Sequence, residues 1–278
     1  MFDSHVHFDA EPFQADLEAV TARTRAAGVT GAINPAIDLA SSARTKEIHD
    51  ARPWILPAAG FHPLYLDPWE EPPEAELDAL LRAGDYAAIG EAGLDFWHGR
   101  GDEERQRAFL EAQGRLAQRH ALPILLHVRK GFYEAFAVLR QAGFAGSGVC
   151  HAFSGTRDMA RLALDRGFHL SACATLTYPE RSRLREVFRW APRDRILVET
   201  DAPDIPPFVR RGRVHRPWDL PLTVAALAEA MGVTPGQAAE ITEENARRLF
   251  GGERKHGPPS HEDTENGSVA IRVGPRNG

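Results

Sequence analysis

Cysteine is nearly missing from this chain: Cys150 and Cys173 are the two that occur in 278 residues. Two cysteines cannot build a disulfide framework, and a cysteine-based zinc knuckle is excluded. Lysine is almost as scarce, standing at Lys46, Lys130 and Lys255, so arginine carries the positive charge. The formal net charge is −6. That argues against a protein that lays long nucleic acid along a basic track, which needs many Lys/Arg contacts to phosphate, but leaves room for an enzyme that grips one phosphate in a pocket. No window approaches the roughly 18 consecutive apolar residues of a membrane span. Met1-Phe2-Asp3-Ser4-His5 has no basic region followed by an apolar one, so no signal peptide is expected and the cytoplasm is the expected compartment. A Walker loop and a G-x-S-x-G elbow are also missing.

Short β-like runs alternate with longer amphipathic ones. Strands are expected at 2–6, 29–34, 54–60, 86–91, 123–127, 148–151, 168–171 and 195–199. Helices are expected at 13–27, 39–51, 74–83, 103–120, 132–142, 157–166, 181–190 and 220–231. Gly28, Gly84, Gly143, Gly167 and Gly232 stand where helices should stop. Eight strand–helix units predict an α/β fold, a (β/α)8 TIM barrel in a single domain over 1–250. A doubly wound open sheet usually carries a glycine-rich loop after its first strand, whereas this first strand ends in histidines. Two short closing helices are expected at 234–239 and 243–250, then a disordered tail over 251–278, rich in Gly, Pro, Ser and charge.

The strand ends carry the chemistry. His5 and His7 are two apart, so in an extended strand they point to one side. Strand four ends in Glu91, strand five in His127, strand six in His151 and strand eight in Val198-Glu199-Thr200-Asp201. A barrel gathers these ends on one rim. Six ligands suit two divalent metal ions: His5, His7 and Asp201 for one, His127 and His151 for the other, with Glu91 bridging. The nitrogen-rich set favours Zn, Mn or another transition metal over Ca; Mg is also admissible. Two dications bring about +4 and two carboxylates return about −2, a pocket that selects an anion. Paired metals about 3.5–4 Å apart suit in-line phosphoryl displacement, with Asp201 and Glu91 as catalytic carboxylates. Asp3 and Asp95 either orient an imidazole or serve as caps. His62 is expected at substrate phosphate or leaving group, Arg129 as a phosphate clamp, and Ser154, with Gly155, at an anion-binding helix start. Arg210, Arg211, Arg213 and Arg216 form a basic patch that meets a nucleic-acid backbone or is simply solvated. His49, His98, His120 and His169 carry no metal-ligand pattern, and Cys150 reads as a small core residue.

Together these residues resemble the TatD family of metal-dependent deoxyribonucleases over residues 2–250. The motifs are Asp3-Ser4-His5-Val6-His7, Gly60-Phe61-His62-Pro63, Gly90-Glu91-Ala92-Gly93-Leu94-Asp95, His127-Val128-Arg129, His151-Ala152-Phe153-Ser154-Gly155, Glu199-Thr200-Asp201-Ala202-Pro203 and Asn245-Ala246-Arg247-Arg248-Leu249-Phe250. The resemblance implies a TIM barrel, a divalent-metal requirement, the six ligands above and 3′-end trimming of DNA or RNA, with nucleic-acid ends as partner. Two departures stand at the mouth. Val214-His215-Arg216-Pro217 replaces a common Arg-Asn-Glu-Pro, and Leu64 stands where a second histidine usually follows Pro63. An alternative on the same barrel is hydrolysis of a carbonyl ester or amide, including an aminoacyl ester on tRNA. Many such enzymes bridge their metals with a modified lysine on strand four, where this chain has Glu91.

Overall fold

Strands buried on both faces read as continuous apolar runs, and the helices between them must cover the outer face. The computed structural model describes residues 1–251, and the expected tail lies, Gly251 apart, outside them. The described residues form one eight-stranded sheet in sequence order, β1 (Phe2–Asp3), β2 (Gly31–Asn34), β3 (Ile55–Ala59), β4 (Ala88–Asp95), β5 (Ile124–Arg129), β6 (Gly148–Cys150), β7 (Phe168–Ala172) and β8 (Ile196–Val198). Neighbouring strands pair in parallel throughout. The first and last strands meet through Ser4 N to Val198 O at 3.0 Å, Asp201 N to His5 O at 2.9 Å and His7 N to Ala202 O at 2.9 Å. The sheet is therefore an almost closed barrel, the expected (β/α)8 fold.

Around it run α1 (Glu11–Gln14), α2 (Leu17–Ala26), α3 (Leu39–Ala51), α4 (Glu74–Ala83), α5 (Glu103–His120), α6 (Phe132–Gln141), α7 (Arg157–Asp165), α8 (Ser182–Trp190), α9 (Leu220–Met231) and α10 (Pro235–Phe250). Two expectations need correction. The single helix at 13–27 is two, because Asp16 accepts from Ala19 N at 3.1 Å and caps a new start at Leu17. The two closing helices are one, α10. Thr234 and Gln237 form a capping box with Pro235 in the first turn. Thr242, in the gap between the two expected helices, bonds its hydroxyl back to Ala238 O at 2.8 Å inside the helix.

The barrel interior explains how the site is placed. Phe2, Ile33, Ala58, Ala88, Leu125, Val149 and Leu197, one from each of seven strands, form one buried cluster, plugged from below by Ala246 and Phe250 of α10. The Phe2 and Phe250 rings lie 6.0 Å apart. Inward residues repeat every two along a strand. Two positions beyond Leu125, Val149 and Leu197 stand His127, His151 and Glu199. Apolar floor and polar mouth are thus successive layers of the same strands. Among the described residues no helix is long and apolar enough to cross a membrane.

Candidate metal centre

Glu91 sits at the middle of the mouth, 3% exposed. Alternation from Ala88 would turn residue 90 inward. Instead the β4–β5 register shifts between Ile89 and Ala92, a bulge that turns residue 91 inward. Two glycines permit this. Gly90 has φ +146°, and a Cβ there would meet Leu125 O at 2.8 Å. A Cβ on Gly93 would stand 1.8 Å from His127 O. Here β4 and β5 approach closer than any side chain allows.

The two oxygens of Glu91 face two different groups. Oε2 lies 3.1 Å from His5 Nε2 and 3.5 Å from His7 Nε2. Asp201 Oδ1 closes that side, 3.6 Å from His5 Nε2 and 3.8 Å from His7 Nε2. Oε1 lies 2.8 Å from His127 Nδ1, 2.9 Å from His151 Nε2 and 3.5 Å from His62 Nε2. The halves adjoin, with the His5 and His151 rings stacked at 4.0 Å. The structure thus brings together all six residues named as ligands, in the expected grouping, with His62 beside them.

Proton positions follow from the partners. Asp95 Oδ2 lies 2.9 Å from His127 Nε2, so that nitrogen carries the proton and Nδ1 presents a lone pair. Glu199 Oε1 is the carboxylate oxygen beside His151 Nδ1, at 3.4 Å without a hydrogen bond, and its negative charge favours the proton on Nδ1 and the lone pair on Nε2. His127 Nδ1 and His151 Nε2 are 3.1 Å apart and both face Glu91 Oε1. Three acceptors converging on one point repel unless a cation sits among them. On the other side His5 Nε2 and His7 Nε2 are 3.3 Å apart, and His5 Nδ1 is buried with no hydrogen bond among the described residues. Without a cation the charges shift to compensate. His151 is held well above the usual imidazole value, because Glu91 and Glu199 outweigh the opposing effect of burial. Burial, then the negative charges of Glu91 and Glu199, push Asp201 well up, against the pull of His151. Burial likewise pushes His5 down to about 4. Such a donor set fits divalent cations.

His62 differs in kind. Leu64 N donates to its Nδ1 at 3.1 Å, so Nε2 bears the proton, and burial pushes its pKa down to about 3. A neutral imidazole whose free nitrogen is a donor serves an oxygen better than a metal, although its position among Glu91 and His127 has ligand spacing.

Residues 2–251 match the family model described as TatD related DNase. This chain belongs to the TatD family. It is 35% identical over 261 residues to the metal-dependent hydrolase TatD of Mycobacterium tuberculosis, covering 90% of this chain and 98% of the relative. It is 33% identical over 259 residues to a protein of Edwardsiella piscicida named 3′-5′ ssDNA/RNA exonuclease TatD, covering 90% and 99%. The crystal structure of the TatD homologue YjjV from Escherichia coli superposes with a TM-score of 0.85 at 31% identity, covering 91% of this chain and 98% of that one. The chain is therefore a metal-dependent hydrolase of the TatD family.

Other residues fall less evenly in this TatD-family site. Asp95 orients an imidazole. Asp3 does not; it accepts from Thr200 N at 3.0 Å and Thr200 Oγ1 at 2.6 Å, tying the start of the chain to the segment before Asp201. Arg129 reaches the mouth, with Nη1 3.9 Å from Asp95 Oδ2. Ser154 departs from expectation: it is exposed, makes no hydrogen bond with the cluster, and does not open the helix. Thr156 caps α7 by accepting from Met159 N, two residues later than expected. In the basic patch, Arg210 pairs with Asp219 at 3.5 Å and Arg216 lies against Phe13 and Trp218. Glu199, completely buried, accepts from Ala152 N at 2.5 Å and had been given no role. Its signal was available, since it stands two before Asp201. With Asp95 and Glu199 counted beside Glu91 and Asp201, four carboxylates would offset two dications. The expected surplus near +2 would then fall to roughly neutral.

Proposed function

We propose that this hydrolase cuts phosphodiester bonds with two divalent cations, removing nucleotides from the 3′ ends of single-stranded DNA or RNA. The observation that carries this is Glu91, whose two carboxylate oxygens serve two separate donor groups. His5, His7, Asp201 and Glu91 Oε2 would hold one cation; His127, His151 and Glu91 Oε1 the other. Zn, Mn and Mg are the candidate metals. When bound, the pair lowers the pKa of water and offsets charge on the attacking and leaving oxygens. The exonuclease name of the Edwardsiella relative supports the substrate class.

The chain's own groups divide the remaining work. Among the described residues the Asp201 carboxylate accepts no hydrogen bond, so an oxygen beside His5 is open to take the proton as water attacks phosphorus. As the bond from phosphorus to the 3′ oxygen breaks, the neutral His62 Nε2–H is the donor nearest Glu91 and His127, positioned for the phosphate or the departing oxygen. Asp95 holds the His127 ring in one tautomer through a hydrogen bond, and the Glu199 charge, 3.4 Å from His151 Nδ1, biases the His151 ring the same way. Arg129 stands at the rim for a phosphate oxygen.

End-labelled single-stranded DNA and RNA incubated with Mg, Mn or Zn should shorten from the 3′ end. Glu91→Ala and Asp201→Ala should abolish shortening in folded protein. The near-neutral charge count keeps a second reading open, carbonyl ester hydrolysis such as aminoacyl-tRNA deacylation. A panel of aryl phosphodiesters against carboxyl esters separates the two, and turnover of the carboxyl esters alone refutes the first.

A further inference from the structure

Two cations at the mouth share one aromatic ring. Arg129 Cζ lies 4.4 Å from the centre of the Trp97 ring and Lys130 Nζ lies 4.5 Å from it. Consecutive residues of a strand point to opposite sides, so neighbours do not ordinarily meet on one ring. Lys130 breaks that rule with φ +62°, a left-handed backbone that lysine seldom adopts. The turn falls directly after Arg129, the last residue of β5, and brings both side chains to Trp97. Trp97 is held in turn by Asp95, whose Oδ1 accepts from Trp97 N at 2.9 Å. The same carboxylate holds His127 at 2.9 Å, so the group is tied to the metal-site ligands.

The two charges are largely unspent. Among the described residues Lys130 has no carboxylate within 4.0 Å, and Arg129 has Asp95 alone, at 3.9 Å. Lys130 is one of three lysines in the chain. Trp97 stays 51% exposed. A solvated pair of like charges would drift apart; a shared electron-rich ring holds them near one another. A pocket brought near neutrality by its own carboxylates needs positive charge at its rim to engage a polyanion.

We propose that Arg129 and Lys130, gathered on Trp97, form a subsite for a second phosphate, the one next to the phosphodiester being cut. It selects polynucleotide chains over esters with a single phosphate. This rests on the phosphodiesterase reading above and names the part of the substrate that reading leaves open.

The test uses the full chain and a 5′-labelled single-stranded oligodeoxynucleotide whose 3′-terminal linkage is a phosphorothioate, which resists cutting. The next linkage is either ordinary phosphate or neutral methylphosphonate. Binding is read by fluorescence anisotropy across a salt series. Wild type should bind the phosphate form about fivefold more tightly. Lys130→Ala and Trp97→Leu should each lose that preference, and Lys130→Ala should reduce the slope of log affinity against log salt by about 1. Both positions are exposed, and thermal melts of the variants check their folding. Equal binding of the two forms by wild type, or a preference intact in both variants, overturns the subsite. A preference without shortening of cleavable DNA or RNA in any metal supports the subsite and sinks the nuclease reading. Shortening without preference does the reverse.

Discussion

Replacing Asp95 by Ala isolates the part of this site that acts at one remove from the proposed metal ligands. Its Oδ2 lies 2.9 Å from His127 Nε2, and its Oδ1 accepts from Trp97 N at 2.9 Å. Burial acts to raise its pKa, but the bonds from His127 and Trp97 prevail and hold it below the ordinary carboxylate value. It is therefore ionised at neutral pH, and it fixes the tautomer that aims His127 Nδ1 at Glu91. Removing such a partner typically lowers metal affinity or activity about 10–100-fold, which is roughly 1.4–2.7 kcal/mol. The folded state loses something too, since two partly buried N–H groups go unpaired, at most about 1–3 kcal/mol each and less where water reaches them. Asp95→Asn retains an acceptor without the charge and should fall between wild type and Asp95→Ala. Chelator competition measures affinity on folded protein, urea titration measures stability, and kcat/KM is read at saturating metal. A variant with a lowered urea midpoint but metal affinity within twofold of wild type would show that Asp95 only supports the fold, and the argument from tautomers would fail.

Gly93→Ala should be the most damaging single methyl group in the barrel, because its Cβ would stand 1.8 Å from the His127 carbonyl. A loss of at least about 3 kcal/mol is expected, and an unchanged urea midpoint would refute the close approach of β4 and β5. Chelation should abolish hydrolysis and lower the melting temperature. Restoring free metal to about 100 times Kd should return about 2.7 kcal/mol, and scanning calorimetry with and without chelator reads the difference. Glu243 tests pH dependence away from the centre. The N-terminal amine, Arg247 and Thr30 outweigh burial and hold its pKa down at about 2, against an ordinary 4.5. Depression means its stabilisation is present above pH 4.5 and fades as pH falls through about 2. Glu243→Gln should therefore melt below wild type at pH 7, with the gap closing in acid. A gap independent of pH would count against the assigned ion pairs.

The residues of the candidate metal centre were visible in sequence to different degrees, for physical reasons. His127 and His151 stand two beyond Leu125 and Val149, so strand alternation carries them inward once those leucine and valine positions form the floor. Glu199 obeys the same rule but went unassigned because Asp201 beside it drew the ligand role. Glu91 obeys no alternation; a bulge between Ile89 and Ala92 turns it inward, and a bulge depends on how β4 meets β5. Ser154 does not open the helix, because Thr156, whose hydroxyl accepts from Met159 N at 3.4 Å, is the residue that caps α7.

Local pattern alone was enough to announce eight strand–helix units with acids and imidazoles at the strand ends, and the motifs in which those residues stand resemble a metal-dependent hydrolase family. The strand and helix patterns repeat every two or every 3.6 residues, so neighbours along the chain suffice to reveal them. Contacts between distant strands decided the rest: which oxygen of Glu91 meets which histidines, which imidazole nitrogen holds the proton, and that Arg129 and Lys130 share Trp97. Each depends on distances of a few ångströms between side chains far apart along the chain, set only when the barrel closes.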